Sequence, residues 1–390
     1  MSKYILPTYA RINITFTHGR GAWLYTKNKK KFLDFASGIA VNSLGHSNPL
    51  LIKALNDQSK KLWHTSNLYR ISEQEKAAQK LCKISFADKV FFCNSGAEAT
   101  DGVIKIMRKF HYEKGNFVKK KVIVFDNAFH GRTLTGILAG SSKKHREGFL
   151  PHKKSSGGFI RTNFNSIDSL KNIVTKEIAG IFIEPIQGEG GINVVSNKYL
   201  IEMRKICNQH NILMALDEVQ CGIGRTGKLF AYEWSKIKPD LLTSAKGLGG
   251  GFPIGAILLS KKVSEVIKPG SHGSTFGGNQ LACAVSLAVL NEISKKRFLK
   301  NVLKVGEYIR NEIKTLIKKY PNKIENVFGT GLMLGIKCKT SNLDICMLLR
   351  AKGLLVVPAS NNVIRLLPPL NISLKESKLA IKMINEALSE

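Results

Sequence analysis

Carboxylates are scarce in this 390-residue chain: 28 Asp and Glu stand against 60 Lys and Arg, a formal charge of +32. There is also no apolar run long enough to span a bilayer, so no membrane segment is expected. The opening stretch MSKYILPTYARINITF lacks the charged-then-apolar layout of a secretion signal. The seven cysteines, at 82, 93, 207, 221, 283, 338 and 346, contain no CxxC pair and are odd in number. Neither a disulfide framework nor a metal site is suggested, and a reducing cytoplasm is the expected compartment. Internal repeats and low-complexity linkers are absent as well.

Excess positive charge makes nucleic acid a candidate partner. Here the cations are spread in short clusters, KNKKK at 27–31, KKK at 119–121 and pairs at 143–144, 153–154 and 261–262. No zinc finger, RNA-recognition motif or basic zipper accompanies them. Many lie beside Asn and Ile, as AT-biased coding would produce. A solvated surface is the reading, with no specific nucleic-acid partner.

What is present is an ordinary globular composition, 43% hydrophobic and 23% charged, in a chain long enough for two domains. Short apolar runs end in polar and glycine clusters that lead into helical patterns. Examples are KVFFC (89–93), KVIVF (121–125), AGIFIE (179–184), ILMALDEV (212–219) and DLLTSA (240–245), with IGAILLS (254–260) following. Runs apolar on both faces and alternating with helices predict an α/β fold with a mainly parallel sheet covered on both sides. Ligands of such sheets sit at the carboxyl ends of the strands, where the unusual residues of this chain fall. The character changes near residue 280. LACAVSLAVLNEI and the lysine-rich stretch 294–320 read as helices, while GLMLGIKCK, LLVVPAS and VIRLLPPL read as strands. The expected organisation is a large domain over 46–280 and a smaller α+β domain over 281–390. Residues 1–45, with strand-like AWLYT and KFLDF, are expected to join the smaller one.

TSAKGLGGG at 243–251 places Lys246 among four glycines. Two readings compete: the glycines cradle a phosphate, or they clear space for the lysine to react. The order lacks the GK[ST] of a nucleoside-triphosphate loop. Gly222, Gly224 and Gly227 in GIGRTG satisfy GxGxxG, but the acidic residue of a dinucleotide site is not at the end of the next strand. A lysine that forms a Schiff base needs partial desolvation and a cofactor whose ring nitrogen meets a carboxylate. Asp217, at a strand end, supplies such a carboxylate. Asn94-Ser95-Gly96-Ala97, before a helix starting near Glu98, offers N–H groups to a phosphate. Phe129 follows another strand end and can stack on a ring. Taken singly, these are a helix cap, an ion pair and a core phenyl; together they describe one site.

With these residues the chain resembles the class III, fold-type I aminotransferases that depend on pyridoxal 5′-phosphate, and within them the acetylornithine aminotransferase family of arginine biosynthesis. The matching motifs are FASGIAVNSLGH, NSGAEA, AFHGR, EPIQGEGG, DEVQCGIGRTG, TSAKGLGGGFPIGA and GSTFGGN, and the likeness runs from LPTYAR to VIRLLPPL. It implies Lys246 as the cofactor-linked lysine and proton carrier, and Asp217 as the partner of the ring nitrogen. Val219 and Phe129 would sandwich the ring and Gln220 would approach its 3′ oxygen. Ser95, Gly96 and Ala97 would hold the phosphate, and Thr275 would reach the neighbouring subunit's phosphate in an obligatory homodimer. Arg132, Glu189, Arg365 and Ser274 would serve substrate. Glu189 would neutralise Arg365 in one half-reaction and release it in the other. Asn48 replaces a histidine of the family pattern, Phe276 a tyrosine and Gln280 a proline; none is assigned to chemistry. The implied reaction moves the distal amino group of N-acetylornithine to 2-oxoglutarate. Succinyl-diaminopimelate, ornithine and 4-aminobutyrate remain as alternative donors. A nucleic-acid-binding protein on an inactive transaminase scaffold is the alternative from another class.

Overall fold

A computed structural model describes residues 3–150 and 156–390; the lysine pair at 153–154 lies outside them. The apolar runs pair into a seven-stranded sheet. Its spatial order is Lys89–Cys93, Gly255–Leu259, Leu241–Ser244, Leu213–Asp217, Ile178–Ile183, Lys121–Phe125 and Phe159–Thr162. Only Gly255–Leu259 runs against its neighbours, so the sheet is mainly parallel. The central strands are buried at every position, and helices cover both faces, as their unbroken apolar runs require.

The helix Gly96–Glu113 lies across this sheet because Ala99, Val103, Met107 and Phe110 recur on one face and are all buried. It begins two residues before the predicted start at Glu98. Ser95 caps it, its Oγ accepting from the Glu98 N–H at 3.2 Å, while the Glu98 carboxylate reaches back to the Asn94 N–H. The reciprocal cap fixes the helix start at the mouth of the sheet.

A second, antiparallel sheet has the order Ile324–Thr330, Met333–Cys338, Val363–Leu366, Val357–Ala359. The helix Lys296–Lys319 packs on it through Val302, Val305, Ile309, Ile313 and Leu316. LLVVPAS, expected as one strand, is two. Leu354–Leu355 pairs in parallel with Lys31–Asp34 of the N-terminal sheet, whereas Val357–Ala359 forms the edge of the antiparallel one. Pro358 has no N–H to donate, and an edge is where a sheet tolerates it. Among the described residues no helix is long and apolar enough to cross a membrane.

GIGRTG forms a buried run of turns after the Leu213–Asp217 strand, with Gly224 and Gly227 at φ 84° and 86°. Arg225 of this run is buried and donates to the carbonyls of Leu332 (3.0 Å) and Pro368 (2.6 Å). The loop therefore ties the parallel sheet to the C-terminal segment and is not the entry to a nucleotide site. Glu218, just past the strand, is also fully buried and accepts from the Ala231 and Tyr232 N–H groups at 2.5 and 2.9 Å.

Burial pushes the Glu218 pKa up to about 8. A carboxyl raised in the folded state contributes stability that is full below its unfolded pKa and lost as pH rises through about 8. Glu218→Gln should therefore flatten the fall of Tm between roughly pH 5 and 8, while lowering stability throughout by about 1–3 kcal/mol, because its amide sets an N–H against a backbone donor. Thermal melts across that range check this; parallel wild-type and variant curves would contradict it.

Candidate active site

The carboxyl ends of the parallel strands open on a cavity of about 340 Å³ lined by Ser95, Gly96, Ala97, Phe129, Asp217 and Val219, among others. Gln220 and Lys246 line it too. Eight residues singled out in the sequence thus converge, from four strand ends and one helix start. A neighbouring cavity of about 630 Å³ shares Phe129 and Lys246 and adds Arg132, Glu189, Ser360 and Tyr9.

Lys246 follows the Leu241–Ser244 strand at φ 42°, inside a short 3-10 turn. Its ammonium makes no hydrogen bond or ion pair among the described residues, and burial lowers its pKa below the usual lysine value. The amine is therefore more available at neutral pH than that of a surface lysine.

Asp217 is 5% exposed. Its Oδ1 accepts from the Val219 N–H at 3.0 Å and the Thr243 hydroxyl at 3.1 Å, and its Oδ2 lies 2.7 Å from His130 Nδ1. His130 is buried against Phe182, with ring centres 4.3 Å apart, and its Nε2 has no partner among the described residues. Sequence reasoning missed His130 and Thr243. His130 stands in the quoted AFHGR motif, but its carboxylate lies 87 residues away.

Glu184, also missed, is a third buried carboxylate. It accepts from the Phe129 N–H (2.9 Å) and the Gly188 N–H (3.3 Å), joining the loop that carries Phe129 to the one that carries Glu189. Burial, followed by the charge on Asp217, pushes its pKa well above the usual carboxylate range. A Cβ at 188 would sit 2.2 Å from the Gln220 side-chain oxygen, so a side chain there would displace Gln220.

Arg365 is 1% exposed and forms a two-pronged pair with Glu189, at 2.7 and 3.0 Å. It also donates to the Gln220 side-chain Oε1 at 3.2 Å, so Gln220 is engaged by Arg365 as well as lining the cavity. Arg132 stands over the Phe129 ring, 5.5 Å from its centre, at the cavity of about 630 Å³. Ser274 lies at the start of the Gly96–Glu113 helix, where its Oγ accepts from Asn94 Nδ2 at 3.3 Å. Thr275 is exposed and lines neither cavity of its own chain.

These groups suit a flat, phosphate-bearing cofactor. A helix start leaves N–H groups without intrahelical acceptors, which suits a phosphate. A Cβ on Gly96 would come within 2.9 Å of Val219 and fill the cradle. Asp217 has spare acceptor capacity for a protonated ring nitrogen, and the reactive amine is at hand. Such an arrangement defines a lysine-dependent enzyme of amine chemistry.

The family model for "Aminotransferase class-III" matches residues 4–388, and the chain belongs to that family. It is 49% identical over 380 residues to an acetylornithine aminotransferase of Mesorhizobium japonicum, covering 97% of this chain and 94% of that one. The fold superimposes on the ornithine aminotransferase of Toxoplasma gondii with a TM-score of 0.94 at 31% identity, over 99% of this chain and 92% of that one. Against the N-acetylornithine aminotransferase of Stenotrophomonas maltophilia the TM-score is 0.85 at 35% identity, over 98% and 97%. Enzymes of this family use pyridoxal phosphate, which the residues described above fit.

Asp217→Asn keeps the shape of the site and removes its charge. Turnover should fall by about 10²-fold or more, the usual cost of losing a preorganised group aimed at developing charge. His130→Phe keeps the ring packing on Phe182 and loses only the bond to Asp217, so it should cost roughly tenfold. Steady-state kinetics of both variants test this order, and a near-normal rate for the Asn variant would contradict the role of Asp217.

Proposed function

We propose that this chain transfers the distal amino group of N-acetylornithine to 2-oxoglutarate, giving N-acetylglutamate 5-semialdehyde and glutamate, a step of arginine biosynthesis. The cytoplasm is its proposed compartment. The observation that carries the reading is the Glu189–Arg365 pair closed beside Lys246 in a cavity that also holds Arg132.

When bound, pyridoxal phosphate would supply an aldehyde for the Lys246 amine and a ring that takes up the electron pair released at the amine-bearing carbon. The protein groups do the rest. Ser95, Gly96 and Ala97 would hold the phosphate, and Val219 and Phe129 would face the two sides of the ring. Gln220 would stand beside the ring's 3′ oxygen. Asp217, held by His130, Thr243 and the Val219 N–H, would keep the ring nitrogen protonated. Lys246 Nζ would take the proton from the amine-bearing carbon and return it one position along.

Arg132 would bind the carboxylate distant from the reacting centre in both half-reactions. 2-Oxoglutarate brings a second carboxylate beside its keto carbon, and only Arg365 remains to receive it. While the amine donor is bound, an unpaired Arg365 would be a costly buried charge, and Glu189 neutralises it. Ornithine is the second reading, favoured by the TM-score of 0.94 to the Toxoplasma gondii enzyme.

A homodimer with shared sites fits the surface. Leu68, Tyr69, Trp63 and Phe276 are 88%, 71%, 65% and 58% exposed, and Asn67 Nδ2 joins their segments by donating to the carbonyls of Ser274 and Gly277. Thr275 stands in that patch and would reach the partner's phosphate; Ser274, beside it, would lie close to substrate.

An amino-donor panel with 2-oxoglutarate, scored for glutamate, should rank N-acetylornithine first; a tenfold preference for ornithine or 4-aminobutyrate would contradict the reading. In single-turnover experiments Arg365→Ala should spare the acetylornithine half-reaction and cripple that of 2-oxoglutarate. Glu189→Ala should favour α-amino donors such as glutamate. Equal losses in both halves would defeat the switch.

A further inference from the structure

The cavity of about 630 Å³ runs from Lys246 to the short segment Ser141–His145. His145 lies on its wall, half-buried, edge-on to Phe129 with ring centres 6.0 Å apart and planes at 83°. Arg132 packs on the same phenyl ring at 5.5 Å from its centre, so the two polar heads are neighbours. The imidazole of His145 makes no hydrogen bond among the described residues. Burial, then the charge on Arg132, lowers its pKa below the usual histidine value.

The charges around this cavity are unequal. Arg132 is cationic, and among the described residues lining the cavity Glu189 is the one carboxylate, already engaged by Arg365. A donor with a free α-ammonium would bring a positive group next to Arg132 and find no anion to meet it. A donor whose α-nitrogen is acylated brings no charge there. Its secondary amide has one N–H and one carbonyl, on the same carbon as the carboxylate that Arg132 would take.

Resting on the functional reading above, we propose that His145 reads the acylated α-nitrogen of the amine donor. The neutral imidazole has one ring N–H to donate and one unprotonated ring nitrogen to accept, so it offers a partner to either the carbonyl or the N–H of a secondary amide. His145 is then a residue that selects acylated over free diamino acids. Arg132 alone fixes the carboxylate, which acylated and free donors share.

The alternative role for His145 is to prop the edge of Phe129, and the test separates the two. His145→Phe keeps the edge contact and removes both hydrogen-bonding atoms. On the proposal, single-turnover efficiency of the holoenzyme with N-acetylornithine falls by up to about tenfold, through loss of the hydrogen bond to the acylamino group. Ornithine and 2-oxoglutarate, which carry no acylamino group, should each change less than about twofold. His145→Gln, which again offers a donor and an acceptor, should recover most of the loss. An equal fall for both donors, or no fall at all, would overturn the proposal. If His145→Phe does not fold, His145→Gln and His145→Ala are compared on the same two donors, and equal donor ratios in that pair would overturn it. A wild-type enzyme that does not use N-acetylornithine refutes the functional reading itself, and the proposal falls with it; that outcome is recognised without any variant.

Discussion

Asp217 is a carboxylate 5% exposed at the end of a central strand, and the site is built around satisfying it. Its acceptors take a hydroxyl from the adjacent strand, an N–H from its own turn and an imidazole from a loop two strands away. A buried charge left without such partners would be strongly destabilising. Those bonds also pin the Phe129–His130 loop and the Val219 turn, both of which line the cavity. In a chain of net charge +32, the buried acids Glu184, Asp217 and Glu218 stand out at the ends of two neighbouring strands. Three of the chain's scarce carboxylates are thus buried at this end of the sheet.

The Glu189–Arg365 pair is of another kind. The Arg365 side chain is 1% exposed and that of Glu189 is 35% exposed. If the pair opens, Glu189 reaches water easily, while Arg365 is left as a buried charge. Only another anion at the same place restores the balance. On the proposed switch, this asymmetry would make Arg365 the fixed receptor and Glu189 the removable cover. Glu184 holds the backbone at Gly188, next to Glu189, and at Phe129, so the segment that carries Glu189 is anchored to the Phe129 loop.

Much of this was legible in the sequence, because strand ends in a parallel sheet are readable as apolar runs that stop at polar or glycine residues. Lys246, Asp217 and Ser95–Ala97 each stand at such a stop, and they share one cavity. His130, Thr243 and Glu184 were not readable in this way. Each acts through a partner brought close by sheet order, such as the 87 residues between His130 and Asp217, and no local pattern records that pairing. His145 was missed for a related reason: it follows two lysines that read as a solvated cluster, and its contact with Phe129 is set by folding of the loop. The split of LLVVPAS between two sheets also depends on partners distant in sequence, with Pro358 as its only local sign.

The central claim is that the amine of Lys246, alone among the lysines of this chain, is made reactive by its burial beside the Asp217 site. Borohydride reduction of the cofactor-loaded enzyme, followed by digestion and peptide mass mapping, tests it directly. The account predicts one pyridoxyl-modified peptide, that containing Lys246, and its loss in Lys246→Ala. A principal adduct on any other lysine, or none in the wild type, would contradict it.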